Sequence, residues 1–372
     1  MTLRTAPPRS SVSLVAAVGA FGLPDAPTLP SSPLEPSRWA RLVGKVRRER
    51  IEGLLAAAVH AGALPTRDEQ FVELREAVRG RARTDLCLER EMLAACRTLG
   101  EAAISYRVLK GHAWAHTIYP DPAWRGFGDV DLLVADDDWY RAVEALEESG
   151  ARRVLPELRP GFDRRFGKDA TLLSAGGSEI DLHRTLVVGP YGFWIDRQEL
   201  FDRAGHLTIG GVEVPILDPE ASFLHACYNA AVADDPPRVI AARDVCQMVL
   251  TGAGDPDRIW DLAGRWRGRS VVIRALSLAS DTFGVDLWYY PVAAPFATAR
   301  FAASDRVLMA SYRGRARGYT SQAAGVVALP GIPQKLSYLA ALARPQRAYL
   351  DARSLSPAGH LRRALRFAWE RP

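Results

Sequence analysis

The feature that most constrains this chain is the run Asp129-Val130-Asp131-Leu132-Leu133-Val134, an apolar stretch that carries two carboxylates one residue apart. Alternation along an extended chain sends Asp129 and Asp131 to one face and Val130 and Leu132 to the other. Two anions held side by side repel unless a cation joins them. A similar strand pattern recurs at Glu179-Ile180-Asp181-Leu182-His183, where Glu179, Asp181 and His183 share a face opposite Ile180 and Leu182. An isolated pair of this kind can be two solvated acids beside a turn. The apolar setting and the third carboxylate, Asp181, instead point to a metal-dependent phosphoryl or nucleotidyl transfer site using two ions. Hard oxygen ligands favour Mg²⁺ or Mn²⁺ over zinc.

Upstream, the apolar strand Ser105 to Leu109 runs into Lys110-Gly111 and then a helical pattern, His112 to Tyr119. A turn there aims backbone N–H groups at an anion, and glycine allows close approach of a phosphate. Lys110 adds a point charge. Arg125 lies in the glycine-bearing loop Trp124 to Gly128, placed either to bridge to the aspartates or to reach phosphate oxygens bidentately. Trp124 either stacks on a base or covers the core. Asp181 suits binding of a metal on the nucleophile side and acceptance of the acceptor's proton, with Glu179 a second candidate. His183 either contacts acceptor or triphosphate or is a packed strand histidine.

At 372 residues the chain has room for more than one packed unit. Residues 1–36 hold Pro24, Pro27, Pro30 and Pro33 and read as a loosely ordered leader with one short helix or strand. Residues 37–100 read as a helical unit of several amphipathic helices, the last two being Asp68 to Val78 and Leu86 to Leu99. Residues 101–217 alternate strands and helices and carry the chemistry. They close on a strand pair, Leu207 to Leu217, with a hairpin turn at Gly210-Gly211. Residues 218–290 are helical (Pro219 to Val232, Pro237 to Leu250, Asp257 to Phe283), and residues 291–372 are mixed, ending in a basic amphipathic helix from Pro357.

The 48 basic and 43 acidic residues leave a formal charge of +5, which permits nucleic acid as a partner without indicating it. The basic runs Arg313 to Arg317 and Arg362 to Arg366 read as solvated faces. Cys87, Cys96, Cys227 and Cys246 lie far apart with no paired spacing, against a disulfide scaffold or zinc ribbon. The apolar run Val12 to Leu23 follows Arg4 and Arg9 but leads into prolines rather than a cleavage site. Together these give a cytoplasmic expectation with no membrane segment.

The order Lys110-Gly111, helix, Tyr119-Pro120-Asp121-Pro122, Arg125, Asp129-x-Asp131-Leu132-Leu133-Val134 and later Asp181-Leu182-His183 resembles the uncharacterised nucleotidyltransferase family of the polymerase-β-like superfamily. The resemblance extends from about residue 38 through Leu217-Asp218-Pro219-Glu220, Arg243-Asp244 and Trp260-Asp261. It implies an α+β fold, a small mixed sheet flanked by helical units. It further implies metal binding by Asp129, Asp131 and Asp181, and transfer of a nucleoside monophosphate from an NTP such as ATP, with pyrophosphate released. The acceptor is left open among a small molecule, a peptide or protein, and RNA. Gly111-His112 stands where the superfamily commonly has Gly-Ser, so triphosphate binding would fall to Lys110 and to backbone groups of Gly111 and His112. Two rival readings are a DxD glycosyltransferase using a nucleotide-sugar and an inactive nucleotide-binding or scaffold module.

Overall fold

The computed structural model describes residues 12–301, 303–314, 317–360 and 362. Its centre is a seven-stranded mixed sheet in the order β3-β4-β5-β2-β1-β7-β6. The strands are β1 (Tyr106–Val108), β2 (Val130–Val134), β3 (Arg152–Arg153), β4 (Asp169–Leu173), β5 (Glu179–His183), β6 (Gly205–Ile209) and β7 (Val212–Ile216). All five residues of β2 are buried, as befits a central strand covered on both faces. Its neighbours set the site. β1 pairs with it antiparallel, and β5 pairs with it parallel, opposing Val130 to Ile180 and Asp131 to Asp181.

β4 and β5 form a hairpin that the sequence reading passed over. Gly177 turns it with a left-handed φ of 80°, and Ser178 N–H is held by the Ser174 side chain. Along β4 the burial alternates, with Ala170 and Leu172 inward and Asp169 and Thr171 on the face shared by Asp181. The second hairpin, β6 to β7, turns at Gly210 and Gly211 as expected, both at positive φ.

Around the sheet lie α1 (Leu14–Gly19), α2 (Pro36–Glu49), α3 (Glu52–His60), α4 (Asp68–Glu101), α5 (Lys110–Thr117) and α6 (Trp139–Glu148). The two helices expected at Asp68 to Val78 and Leu86 to Leu99 are one, α4. Its apolar core-facing residues lapse between Ala77 and Leu88, where the inward positions are the charged, largely buried Arg81 and Asp85 against the Gly126–Phe127 loop, so the apolar period stops while the helix continues. Nothing between them breaks it, and Arg81 and Asp85 form an i,i+4 ion pair at 2.7 Å.

The stretch read as a loose leader is packed from residue 12 onward. Val15, Val18, Ala20, Leu23 and Leu34 belong to the main core, and Arg243 Nη1 donates to the carbonyls of Gly19 and Phe21, each at 2.9 Å. The helices Pro219–Tyr228, Val239–Thr251, Pro256–Arg265 and Arg269–Phe283 complete this core. The last two replace the single helix expected over Asp257 to Phe283. Between them Arg267 takes φ 53° and Gly268 lies so close to Tyr228 that a Cβ would sit 2.3 Å from the phenol oxygen. Most of the terminal amphipathic segment beyond Pro357, and part of the Arg313 to Arg317 run, lie outside the described residues. No helix among the described residues is long and apolar enough to cross a membrane.

Candidate functional site

Helix α5 begins where β1 ends. The Leu109 N–H donates to the Asp131 carbonyl at 2.9 Å, which locks the start of the helix to β2 and sets Lys110 above the Asp131 carboxylate. Lys110 Nζ lies 2.9 Å from Asp131 Oδ1 and 3.9 Å from Asp129 Oδ2. From β5, His183 Nε2 lies 2.8 Å from the same Asp131 oxygen. Burial alone would push the Asp131 carboxyl up, but the Lys110 ammonium and the His183 hydrogen bond outweigh it and hold the group well below the usual carboxylate range. The other oxygen of Asp131, Oδ2, is buried without a hydrogen-bond partner.

Asp181 has the opposite bias. Burial raises its pKa, and the neighbouring Asp169 and Asp131 charges add to the rise against the pull of His183. Thr171 donates to Asp181 Oδ1 at 2.7 Å and fixes the carboxylate on the sheet face. Asp169, two residue pairs along and opposite His183, is held low despite burial by Lys168 at 2.5 Å and by His183. Glu179, at the exposed end of β5, is raised by burial and by the surrounding aspartates.

One ligand atom from each of Asp131, Asp181 and His183 falls within a 4.8 Å group. The orphaned Asp131 Oδ2 and the two carboxylates are a donor set that fits a hard divalent cation, with an imidazole nitrogen alongside. Asp129 is outside this group. It precedes β2, is a quarter exposed, and faces Arg50 Nη1 at 3.8 Å as well as Lys110. The structure thus gathers Asp131, Asp181, His183 and Lys110 tightly, with Asp129 at the rim and Glu179 beyond.

Two expected phosphate contacts are turned inward. Arg125 bridges neither to Asp129 and Asp131 nor outward to solvent. Its Nε and Nη2 donate to the two oxygens of Asp244, at 2.8 and 2.9 Å, in a pair that is almost wholly buried. It also reaches the Gly111 carbonyl at 3.3 Å and lies over the Trp114 ring. A guanidinium spent this way orders the loop rather than meeting a phosphate. His112 is fully buried, tilted on Phe127 with ring centroids 4.0 Å apart, and burial lowers its pKa to about 4. Because Lys110 is itself the first residue of α5, what Gly111 and His112 offer an anion is backbone at the helix start. Trp124 packs edge-on against Phe21.

The chain matches the family model described as "Uncharacterised nucleotidyltransferase" over residues 35–284. It belongs to that family. The matched span contains every site residue above. The fold class implied by the resemblance, a nucleotidyltransferase core with a mixed sheet flanked by helices, is the one observed. Among solved structures, the solution structure of the antibiotic-resistance factor ANT(2'')-Ia is 18% identical, with 51% of this chain and 95% of that one covered and a TM-score of 0.34. An antigenic nucleotidyltransferase-like protein from Paracoccidioides brasiliensis is also 18% identical, with coverage of 51% and 89% and a TM-score of 0.31. Likenesses this loose decide nothing about the chemistry. No curated protein matches the chain.

In this nucleotidyltransferase-family chain, the sequence reading missed Asp169 and Thr171, brought onto the face of Asp181 by the β4–β5 hairpin, and Lys168, which pairs with Asp169. The signal was present: alternating runs on either side of Gly176-Gly177 read as a hairpin. It also missed Arg50, which approaches Asp129 from the end of α2. Nothing in a local pattern marks such a residue, because its proximity is tertiary.

Proposed function

We propose that this protein is a metal-dependent nucleotidyltransferase that moves a nucleoside monophosphate from an NTP to a hydroxyl of an acceptor in the cytoplasm. The observation that carries the reading is the direct pairing of Asp131 with Asp181 across β2 and β5, with Lys110 and His183 converging on Asp131. Asp129, Asp131 and Asp181 would hold Mg²⁺ or Mn²⁺, two ions in the full reading. When bound, these ions would neutralise the triphosphate and make the acceptor hydroxyl more acidic.

The chain's own residues supply the rest. Lys110 and the first-turn backbone of α5 bind phosphate oxygens. His183 holds the Asp131 carboxylate in one orientation, the task of an outer-shell partner. Asp181, with its raised pKa, takes the proton of the acceptor hydroxyl as that oxygen bonds to the α-phosphorus. The bond from the α-phosphorus to the bridging oxygen breaks, and pyrophosphate leaves with that oxygen. A small molecule, a peptide or protein, or an RNA end fits this reaction equally.

The test incubates the full chain with each α-labelled NTP, Mg²⁺ or Mn²⁺ and fractionated cell extract, following pyrophosphate and the label together. Pyrophosphate release coupled to labelling of one fraction is expected. Failure of all four NTPs both to bind and to turn over would overturn the reading, and sugar transfer from a nucleotide-sugar without pyrophosphate would replace it with a glycosyltransferase.

A further inference from the structure

We propose that Arg50 is the residue that binds the β- and γ-phosphates of the nucleotide, and hence the departing pyrophosphate. This rests on the nucleotidyl-transfer reading of the site. Arg50 is the C-cap of α2 and adopts the left-handed conformation, φ 59° and ψ 41°. Helices that end this way ordinarily use glycine, which takes such a φ without the Cβ clash that any other L residue incurs. The backbone at this position does a structural task that any residue could do: its carbonyl accepts the Gly126 N–H at 3.0 Å. The side chain is therefore what glycine could not supply.

The loop facing it is shaped around the guanidinium. A Cβ on Gly128 would lie 2.1 Å from Arg50 Nη2 and 2.3 Å from Cζ. Glycine at 128 thus leaves the space in which the Arg50 head group rests, immediately before Asp129. At the rim the head group is poorly matched. Among the described residues its one ion pair is with Asp129, at 3.8 Å, and the side chain is 36% exposed.

Charge explains why a cation there is useful. A triphosphate must approach Asp129, Asp131, Asp181 and Glu179. Lys110 shares its charge between Asp131, at 2.9 Å, and the phosphate assigned to it above, and Lys168 is paired with Asp169 at 2.5 Å, so the lysines alone do not offset a triphosphate. Arg50 is held in place by its backbone yet lacks a close partner, and its planar fork matches phosphate oxygens. Its position beside Asp129 at the open rim of the site, with the side chain 36% exposed, suits the outer, solvent-facing phosphates of a bound triphosphate.

The experiment titrates the full chain with inorganic pyrophosphate, with the four NTPs and with the four NMPs, each with Mg²⁺, by calorimetry. Nucleotide-free melting temperatures are recorded in parallel. For Arg50→Gly, affinity for pyrophosphate and NTP is expected to fall by about tenfold or more, the loss of a charged hydrogen-bonded contact. NMP affinity should stay unchanged, and the melting temperature should equal or exceed that of the wild type, because the strained backbone is relieved. Arg50→Lys should lie between. Gly128→Ala, which displaces the head group without altering it, should reproduce the loss. Wild-type pyrophosphate affinity in Arg50→Gly would overturn the proposal, as would a lowered melting temperature with equal losses for NMP and NTP, the mark of a merely structural role. If the wild type itself binds no triphosphate, the nucleotidyl-transfer reading falls and takes this inference with it; if it binds and Arg50→Gly binds equally well, only the inference falls.

Discussion

Asp131 and Asp181 are direct register partners across the parallel pair β2 and β5, so the spacing of the two carboxylates is set by backbone hydrogen bonds rather than by loops. A site built on sheet register is held more closely than one carried on flexible connections. Their environments nevertheless differ, Asp131 being fully buried against two partners and Asp181 only partly buried, with a raised pKa.

Asp129, a quarter exposed, and the fully buried Asp131 should respond differently to substitution. Asp129→Ala should abolish transfer while changing stability by under about 1 kcal/mol, since its ion pairs are long and partly exposed. Asp131→Ala should abolish transfer and also destabilise the fold by about 3 kcal/mol, because it strands Lys110 in a buried setting. Denaturant titration of both variants measures the contrast, and equal stabilities would contradict it.

Asp181→Asn keeps the shape of the side chain and an oxygen to accept the Thr171 hydrogen bond. The fold should persist while turnover drops by about 10²- to 10⁴-fold, the usual contribution of a positioned base. Thermal shifts produced by Mn²⁺ in the wild type should shrink in the variant. A Mn²⁺ shift of full size would remove Asp181 from the metal site.

The Arg125–Asp244 pair is buried on both sides. Breaking it singly, with Arg125→Met or Asp244→Leu, should cost about 3 to 5 kcal/mol, and the double variant should recover part of that loss because no charge is left alone. Urea midpoints of the three variants decide it. Single losses under about 1 kcal/mol would mean that water reaches the pair.

His112 titrates at about 4 in the folded chain because burial disfavours its charged form, against about 6.5 when unfolded. Between these values the unfolded state binds the extra proton. The stability associated with the neutral ring is therefore complete above pH 6.5 and lost progressively as pH falls toward 4, about 2 kcal/mol of it by pH 5. His112→Phe should flatten this part of the stability–pH curve, read as the difference in slope from the wild type. Parallel curves would show that the ring is hydrated.

Gly53 on α3 touches the loop that leads to Asp129: a Cβ there would lie 1.8 Å from the Ala123 carbonyl oxygen. The obstacle is backbone and cannot swing aside. Gly53→Ala should destabilise by about 2 kcal/mol and lower activity by shifting the loop. A melting temperature equal to that of the wild type would show that the loop yields freely.

Parts of this site could be read in the sequence because their signals are local. Val130 to Val134 is apolar apart from Asp131 and buried throughout, so β2 was legible to the residue, and a carboxylate inside such a run has few innocent explanations. Gly210-Gly211 needs positive φ twice and so announced its hairpin. Where tertiary partners decide, the pattern was silent. Arg125 and Asp244 are 119 positions apart, and neither shows in its own neighbourhood that it will be neutralised by the other. His183 looked like one alternating strand residue among several until the β2–β5 pairing set it opposite Leu133 and diagonally within hydrogen-bond reach of Asp131. The span from Ala77 to Leu88 lost its apolar period because its inward positions are the ion-paired Arg81 and Asp85, although the backbone continues unbroken.

Asp244 comes from helix Val239–Thr251, well after the last strand, yet it neutralises the arginine of the loop that delivers Asp129. A gene fragment limited to residues 101–217 would encode every carboxylate of the sheet face and leave Arg125 with its counter-ion missing. The shortest portion of this chain worth expressing on its own therefore extends at least through Thr251, and trimming to the strands would discard the anchor along with the helices.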